Sequence, residues 1–252
     1  MSQPPNPSTR APVAASARRV TYQARVERIF DHAEDTRSLF LRMVDRPMPA
    51  FVPGMFISVA IPLAAETRTR PYTIATAPEE GEPFELCFNL VTGGAGSAWM
   101  FARRIGDAID FNGPFGAFTL DSKPQAETIF IAEGTGIAAI RPMLKRLMTA
   151  PLAHPITLLY AADRADHLLY REELQQMAAA EARFSLQTLA AGPDTHDVYE
   201  QLLALTRRRW IAADQARGRH FYICGVGNGV IALRDLLRGS GYERRAVRYE
   251  QW

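Results

Sequence analysis

The chain is poor in cysteine, in net charge and in long apolar runs, and each shortage excludes a class of protein. It has only two cysteines, Cys87 and Cys224. Two thiolates cannot supply the usual four-Cys shell of an iron–sulfur cluster, nor a disulfide framework. Lysine and arginine number 29 against 27 acids, a formal net charge of +2, which argues against a dedicated nucleic-acid binder. No apolar run approaches the roughly 20 residues that span a bilayer. Residues 1–19 are rich in Pro, Ser, Ala and Arg and lack the continuous apolar stretch of a signal peptide. They are expected to be a flexible tail on a cytoplasmic protein. There are no internal repeats.

The apolar residues, 47% of the chain, change period halfway along. In the first half, Val20 to Ile29, Arg37 to Val44, Met55 to Ile61, Arg70 to Thr76 and Phe84 to Val91 read as strands. A Gly-rich stretch, Thr92 to Ser97, leads into a short helix over Ala98 to Arg104, and Ala108 to Phe111 is a strand ending at Gly113-Pro114. Short strands with turn breakers between them suggest a small antiparallel barrel. In the second half, strands at Thr128 to Ala132, Ile156 to Ala161, Phe184 to Leu189 and Phe221 to Cys224 alternate with helices. The helices are expected after Gly136, over Arg171 to Ala180, over His196 to Leu205 and over Gly229 to Leu237. That alternation predicts a parallel sheet with crossover helices. The boundary is placed at Asp121 to Gln125, giving a tail over 1–19, a barrel domain over 20–121 and an α/β domain over 127–252.

Five elements carry chemistry. Arg70-Pro71-Tyr72-Thr73 sets a guanidinium, an aromatic face and a hydroxyl on one strand, where Arg70, Tyr72, Ile74 and Thr76 should share a face. Arginine grips phosphate as a bidentate fork, and a tyrosine ring stacks on planar groups. The turn Gly94 to Ser97 opens a helix, where free N–H groups favour an anion. The strand, Gly-Thr-Gly turn and helix over Ile129 to Ile140 form a dinucleotide cradle at Thr135 and Gly136. Tyr222-Ile223-Cys224-Gly225 ends a parallel strand, where ligands of such sheets bind. The chain finishes Tyr249-Glu250-Gln251-Trp252.

In this order and spacing the five elements resemble the ferredoxin–NADP reductase superfamily, over nearly the whole chain from Val20 to Trp252. Pro53-Gly54-Met55-Phe56, Gly106-Asp107 and Gly113-Pro114-Phe115-Gly116 match further family motifs. The resemblance implies a two-domain protein: a six-stranded antiparallel barrel holding FAD, followed by an α/β parallel-sheet domain for NAD(P)H. It implies that Arg70, Pro71 and Ser97, with backbone at Gly94 and Gly96, hold the FAD pyrophosphate, that Tyr72 stacks on the isoalloxazine and that Thr73 lies near flavin N5. Asn89 joins this cofactor set. Thr135 and Gly136 would cradle the dinucleotide, and Cys224 and Gly225 would flank the nicotinamide. Glu250 and Trp252 match the plant-type ending, in which the terminal ring covers the other flavin face. Thr73, Cys224, Glu250 and Trp252 are thus the expected catalytic set.

The implied activity is hydride transfer between nicotinamide and FAD, with electrons passed to a ferredoxin, a flavodoxin or an oxygenase component. An acidic carrier could dock on Arg103 and Arg104. The alternative is a flavin-bearing subunit or redox sensor with weak nicotinamide turnover. Two departures bear on the nucleotide. Glu133 stands where the family usually has glycine; beside a pyrophosphate it costs about 4 kcal/mol per charge pair at roughly 4 Å and an effective dielectric of about 20. Ala190-Ala191 stands where plant-type members have the Ser-Arg pair for a 2′-phosphate. Asp163 could bond ribose hydroxyls, whereas Arg164 could favour a phosphate; the balance favours NADH over NADPH.

Overall fold

The computed structural model describes residues 21–120, 123–190 and 198–252. The expected tail, Asp121, Ala191 and the first two residues of the expected helix at His196 lie outside the described residues.

The first half forms one six-stranded antiparallel sheet. Its strands are β1 (Tyr22–Ala33), β2 (Thr36–Met43), β3 (Phe56–Pro62), β4 (Thr67–Thr73), β5 (Phe84–Asn89) and β6 (Ala108–Phe115). Their order is β4-β3-β6-β1-β2-β5. A bridge between Ile74 and Leu86 brings the two edges together and closes the barrel. Alternation does the folding: Ile57, Val59 and Ile61 of β3 are buried, with Leu39 and Leu41 of β2 and Phe111 of β6, while the residues between them face out.

Three local expectations need correction. β4 ends at Thr73, so Thr76 does not share the face of Arg70 and Tyr72; instead its Oγ1 accepts the Glu85 N–H at 2.7 Å. The helix α1 (Ala95–Phe101) begins inside the Gly-rich stretch, because Ser97 braces the preceding turn. β6 runs on through Gly113-Pro114 to Phe115 along β3.

The second half forms a parallel sheet of β7 (Thr128–Glu133), β8 (Ile156–Ala162), β9 (Phe184–Ala190), β10 (His220–Gly225) and β11 (Val247–Gln251), ordered β11-β10-β7-β8-β9. Helices α2 (Ile137–Leu147), α3 (Arg171–Ala180), α4 (Val198–Thr206) and α5 (Gly229–Gly239) connect them. β8 is buried at every residue, as a two-sided strand requires. The fifth strand, β11, was not expected. It is a five-residue edge strand carrying Arg248 and Glu250, so it has no apolar run to announce it.

The strand order reverses between β7 and β10. β8 and β9 extend the sheet on one side of β7, and β10 and β11 on the other. Such a switch point opens a crevice at the carboxyl ends of the two strands, here at Glu133 to Gly136 and at Gly225 to Gly227. The barrel faces this crevice. Arg141 of α2 donates to the Ala75 carbonyl at 2.6 Å and to Glu173 at 2.8 Å, and lies 3.5 Å from Glu85 of β5. Tyr170 and Ser38 both donate to Glu85 Oε1, at 2.7 and 2.5 Å. His167 reaches Asp35 of the barrel at 3.2 Å.

Candidate functional site

A groove of about 780 Å³ runs between the barrel and the parallel sheet, and segments far apart in sequence line it. Arg70, Pro71, Tyr72 and Thr73 come from β4, Gly94 to Ser97 from the start of α1, and Asn89 from the end of β5. Glu133 to Thr135, Asp163 and His167 come from the second sheet, and Trp252 from the chain end. A smaller cavity of about 330 Å³ beside Arg146 and His154 collects none of the candidate site residues.

The barrel side suits an anion joined to a planar ring. Arg70 is exposed, and Nη1 donates to the Thr69 carbonyl at 2.9 Å. At Gly96 a β-carbon would come within 3.1 Å of Arg70 Cγ, so glycine lets the first turn of α1 lie against the arginine stem. The N–H groups of that turn have no intrahelical acceptor. Burial pushes the Tyr72 hydroxyl up to about 12, so it stays a protonated donor. Thr73 beside it is buried at the groove wall.

Some expected groups already bond within the protein. The Ser97 hydroxyl accepts the Val91 N–H at 3.0 Å and donates to the Gly94 carbonyl at 3.0 Å. Thr135 Oγ1 donates to Asn89 Oδ1 at 2.6 Å, and Asn89 Nδ2 donates to Thr36 Oγ1 at 2.8 Å. These side chains fix the shape of the groove and tie the Gly-Thr-Gly turn to the barrel. Gly136 is a packing glycine: a β-carbon there would meet the Cys224 carbonyl at 2.2 Å.

Asp163 is exposed on the turn after β8, 2.7 Å from His167 Nδ1. Arg164 turns its guanidinium onto Asp166 and does not line the groove. Arg103 donates to the Trp99 carbonyl and lies over the Trp99 ring, and its neighbour Arg104 is exposed.

The chain end gathers the remaining expected residues. Parallel pairing sets Glu250 opposite Cys224. Cys224 is 1% exposed, and burial pushes its thiol well up, so it is an S–H group and not a thiolate. Burial also raises the Glu250 carboxyl to about 7, and its Oε2 has no hydrogen-bond partner among the described residues. Trp252 is 38% exposed and meets Phe56 edge-on at 6.0 Å.

The folded chain thus favours a protonated Glu250. Stability from that proton is complete below the ordinary value of 4.5 and is lost as pH rises through about 7. Glu250→Gln should therefore flatten the decline in melting temperature between about pH 5 and 8. Matching pH profiles for the two proteins would contradict this.

The sequence reading missed Arg141, His167 and Tyr199. Arg141 left a signal, a lone charge within the apolar run Ile137 to Leu144. Tyr199 left none; its hydroxyl lies 3.0 Å from Glu133 Oε2 only because α4 folds back over the end of β10.

Comparison with known proteins agrees with this geometry. Residues 23–120 match the oxidoreductase FAD-binding domain, and residues 130–232 match the oxidoreductase NAD-binding domain. A ferredoxin–NADP reductase B of Sorangium cellulosum is 28% identical over 92% of this chain and 97% of its own length. The toluate 1,2-dioxygenase electron transfer component of Pseudomonas putida is 27% identical over 92% of this chain and 67% of its own. The structure of a ferredoxin NADP+ reductase from Neisseria gonorrhoeae shares the fold at a TM-score of 0.76 and 16% identity, covering 92% of this chain and 98% of that one. No helix among the described residues is long and apolar enough to cross a membrane. The chain belongs to the ferredoxin–NADP reductase-like superfamily, as an FAD- and NAD(P)-binding oxidoreductase.

Proposed function

We propose that the protein is an NAD(P)H reductase that passes electrons from the dinucleotide, through FAD in the groove, to a separate one-electron protein carrier. The observation that carries this is the meeting, in one groove, of Arg70, Tyr72 and Thr73 with the Gly-Thr-Gly turn and Trp252. FAD, when bound, supplies hydride acceptance together with release of single electrons, which nicotinamide does not readily give.

The chain's own part is binding, placement and shielding. Arg70 and the first-turn N–H groups of α1 would hold the pyrophosphate, and Tyr72 would offer its ring face. The Thr73 hydroxyl would be a donor at the reacting edge, and Glu250, when protonated, would place a proton behind it. Trp252 would cover the flavin and shield it from water until nicotinamide displaces it, and Cys224 would lie beside the nicotinamide. Holding two rings in register is the main catalytic contribution of such a site. Asp163 supports binding of a ribose diol, and Arg164 is occupied by Asp166, so NADH is the favoured dinucleotide. The carrier is of the ferredoxin, flavodoxin or oxygenase-component kind, as the printed names of the relatives suggest.

A flavin-bearing subunit or sensor with slow nicotinamide turnover is favoured only by the Glu133 carboxylate at the nucleotide turn. Dye-coupled oxidation of NADH by FAD-loaded protein tests both. Turnover of about 1 s⁻¹ or more, within the ordinary enzyme range, supports the reductase. Flavin-loaded protein without turnover on either dinucleotide would leave the slow-subunit reading.

The terminal ring gives a separate expectation. An aromatic stack contributes about 0.5–1.5 kcal/mol beyond its area, enough to compete with nicotinamide. Deleting Trp252 should tighten dinucleotide binding by about 2- to 10-fold and shift the flavin absorbance bands. An unchanged affinity and spectrum would mean that Trp252 does not cover the ring.

A further inference from the structure

Glu133 takes no part in the function proposed above, yet its surroundings are built for it. It ends β7, beside the switch point with β10. Its Oε2 accepts the Val226 N–H at 3.0 Å, and the Tyr199 hydroxyl lies at 3.0 Å. The same hydroxyl is 2.8 Å from the Val226 carbonyl. Two glycines make the room. A β-carbon at Gly225 would come within 2.7 Å of the Tyr199 hydroxyl and 3.0 Å of Glu133 Cβ. One at Gly229 would sit 2.0 Å from the Tyr199 ring, which therefore lies flat on the start of α5. At the mouth of the crevice, the Val226 N–H is thus already bonded to a carboxylate of the protein, beside the Gly-Thr-Gly turn.

The far side of the same short loop is tied to Trp252. Trp252 N–H donates to the Gly225 carbonyl at 3.1 Å, and Gly227 N–H donates to the Trp252 carbonyl at 3.3 Å. Residues 225–227 are thus held by Glu133 and Tyr199 on one side and by Trp252 on the other.

We infer that Glu133 and Tyr199 form a latch: an internal anion that occupies the dinucleotide's place at the β10 loop, must be displaced for the pyrophosphate to bind, and on displacement loosens the loop that holds Trp252. The inference rests on the proposed binding of a nicotinamide dinucleotide at the switch point. Glu133 is half-buried and Asp163 stands nearby, so a pyrophosphate arriving there adds like charge to like charge. The latch is a positioning device, and its cost falls on affinity and not on the chemical step.

The experiment uses FAD-loaded protein titrated with NAD+ and with NADP+, followed through the flavin difference spectrum. Dye-coupled kinetics with NADH and NADPH run in parallel. Glu133→Ala should bind dinucleotide on the order of 10-fold more tightly than wild type, within the usual range of coupling between sites, with a matching fall in KM and little change in kcat. Tyr199→Phe keeps the ring and removes one donor, so it should tighten binding in the same direction by less. Glu133→Gln keeps the shape without the charge and should fall between. Unchanged or weaker binding by Glu133→Ala, with flavin content and melting temperature intact, overturns the latch. If Glu133→Ala does not fold, Tyr199→Phe decides by the same criterion. Wild type that binds neither dinucleotide, paired with a Glu133→Ala protein that does, supports the latch and shows how tightly it closes. Failure of both proteins to bind overturns the latch and the proposed function together.

Discussion

Arg141→Ala is expected to cost about 3–5 kcal/mol of folding stability, the usual penalty for stripping one partner from a buried ion pair. The Arg141 side chain is 9% exposed, and that of its partner Glu85 is 4% exposed. The guanidinium bonds in three directions, to Glu173, to the Ala75 carbonyl and toward Glu80 at 3.6 Å, while lying over the Tyr170 ring at 4.6 Å. Without it, the Glu85 carboxylate keeps, among the described residues, the hydroxyls of Tyr170 and Ser38. In a protein of this size the loss corresponds to about 6–20 °C in melting temperature. Arg141→Lys should recover only part of it, because an ammonium cannot reproduce the planar fork. FAD retention should fall as well, since Ala75 lies two residues past Thr73, where β4 ends. A melting temperature within about 2 °C of wild type would show that the two halves are held together by something else.

Arg70→Ala should weaken FAD binding on the order of 100-fold while leaving the apoprotein's melting temperature unchanged. Its guanidinium is exposed and makes one hydrogen bond, to the adjacent Thr69 carbonyl, so the fold does not depend on it. A fork on phosphate makes two charge-assisted bonds of about 1.5–3 kcal/mol each, and exposure to water places the sum near the low end. Arg70→Lys keeps the charge and loses the second bond, so it should lie between. Flavin fluorescence during titration of apoprotein measures this. Equal affinities for wild type and Arg70→Ala would remove Arg70 from the cofactor site. Melting temperature therefore distinguishes the two: Arg141→Ala lowers it and Arg70→Ala leaves it unchanged, although both lower FAD retention.

Both sheets could be anticipated because their strands bury continuous or alternating apolar residues, a local property. β7 is apolar over Ile129 to Ala132 and β8 is buried at every residue, and β3 alternates over Ile57, Val59 and Ile61. β11 escaped because an edge strand with Arg248 and Glu250 in five residues has neither pattern. The reach of β4 was overestimated because the strand stops where Ile74 turns to pair with Leu86, a contact set by barrel closure and not by nearby sequence.

The site follows the same rule. Motif residues on β4, at the start of α1 and at the Gly-Thr-Gly turn do line one groove. The bond from Thr135 to Asn89 spans 46 positions, the approach of Arg141 to Glu85 spans 56, and that of Tyr199 to Glu133 spans 66. Such pairings depend on the docking of one half against the other. Glu133 looked like a misplaced charge beside a phosphate site. Only its partners Val226 and Tyr199 reveal what it holds.

The most direct test of the account is an anaerobic titration of the FAD-loaded protein with NADH and then NADPH, followed by visible absorbance. NADH should bleach the flavin bands stoichiometrically and at lower concentration than NADPH. A flavin spectrum that neither dinucleotide bleaches would contradict the proposal that the groove passes electrons from nicotinamide to flavin.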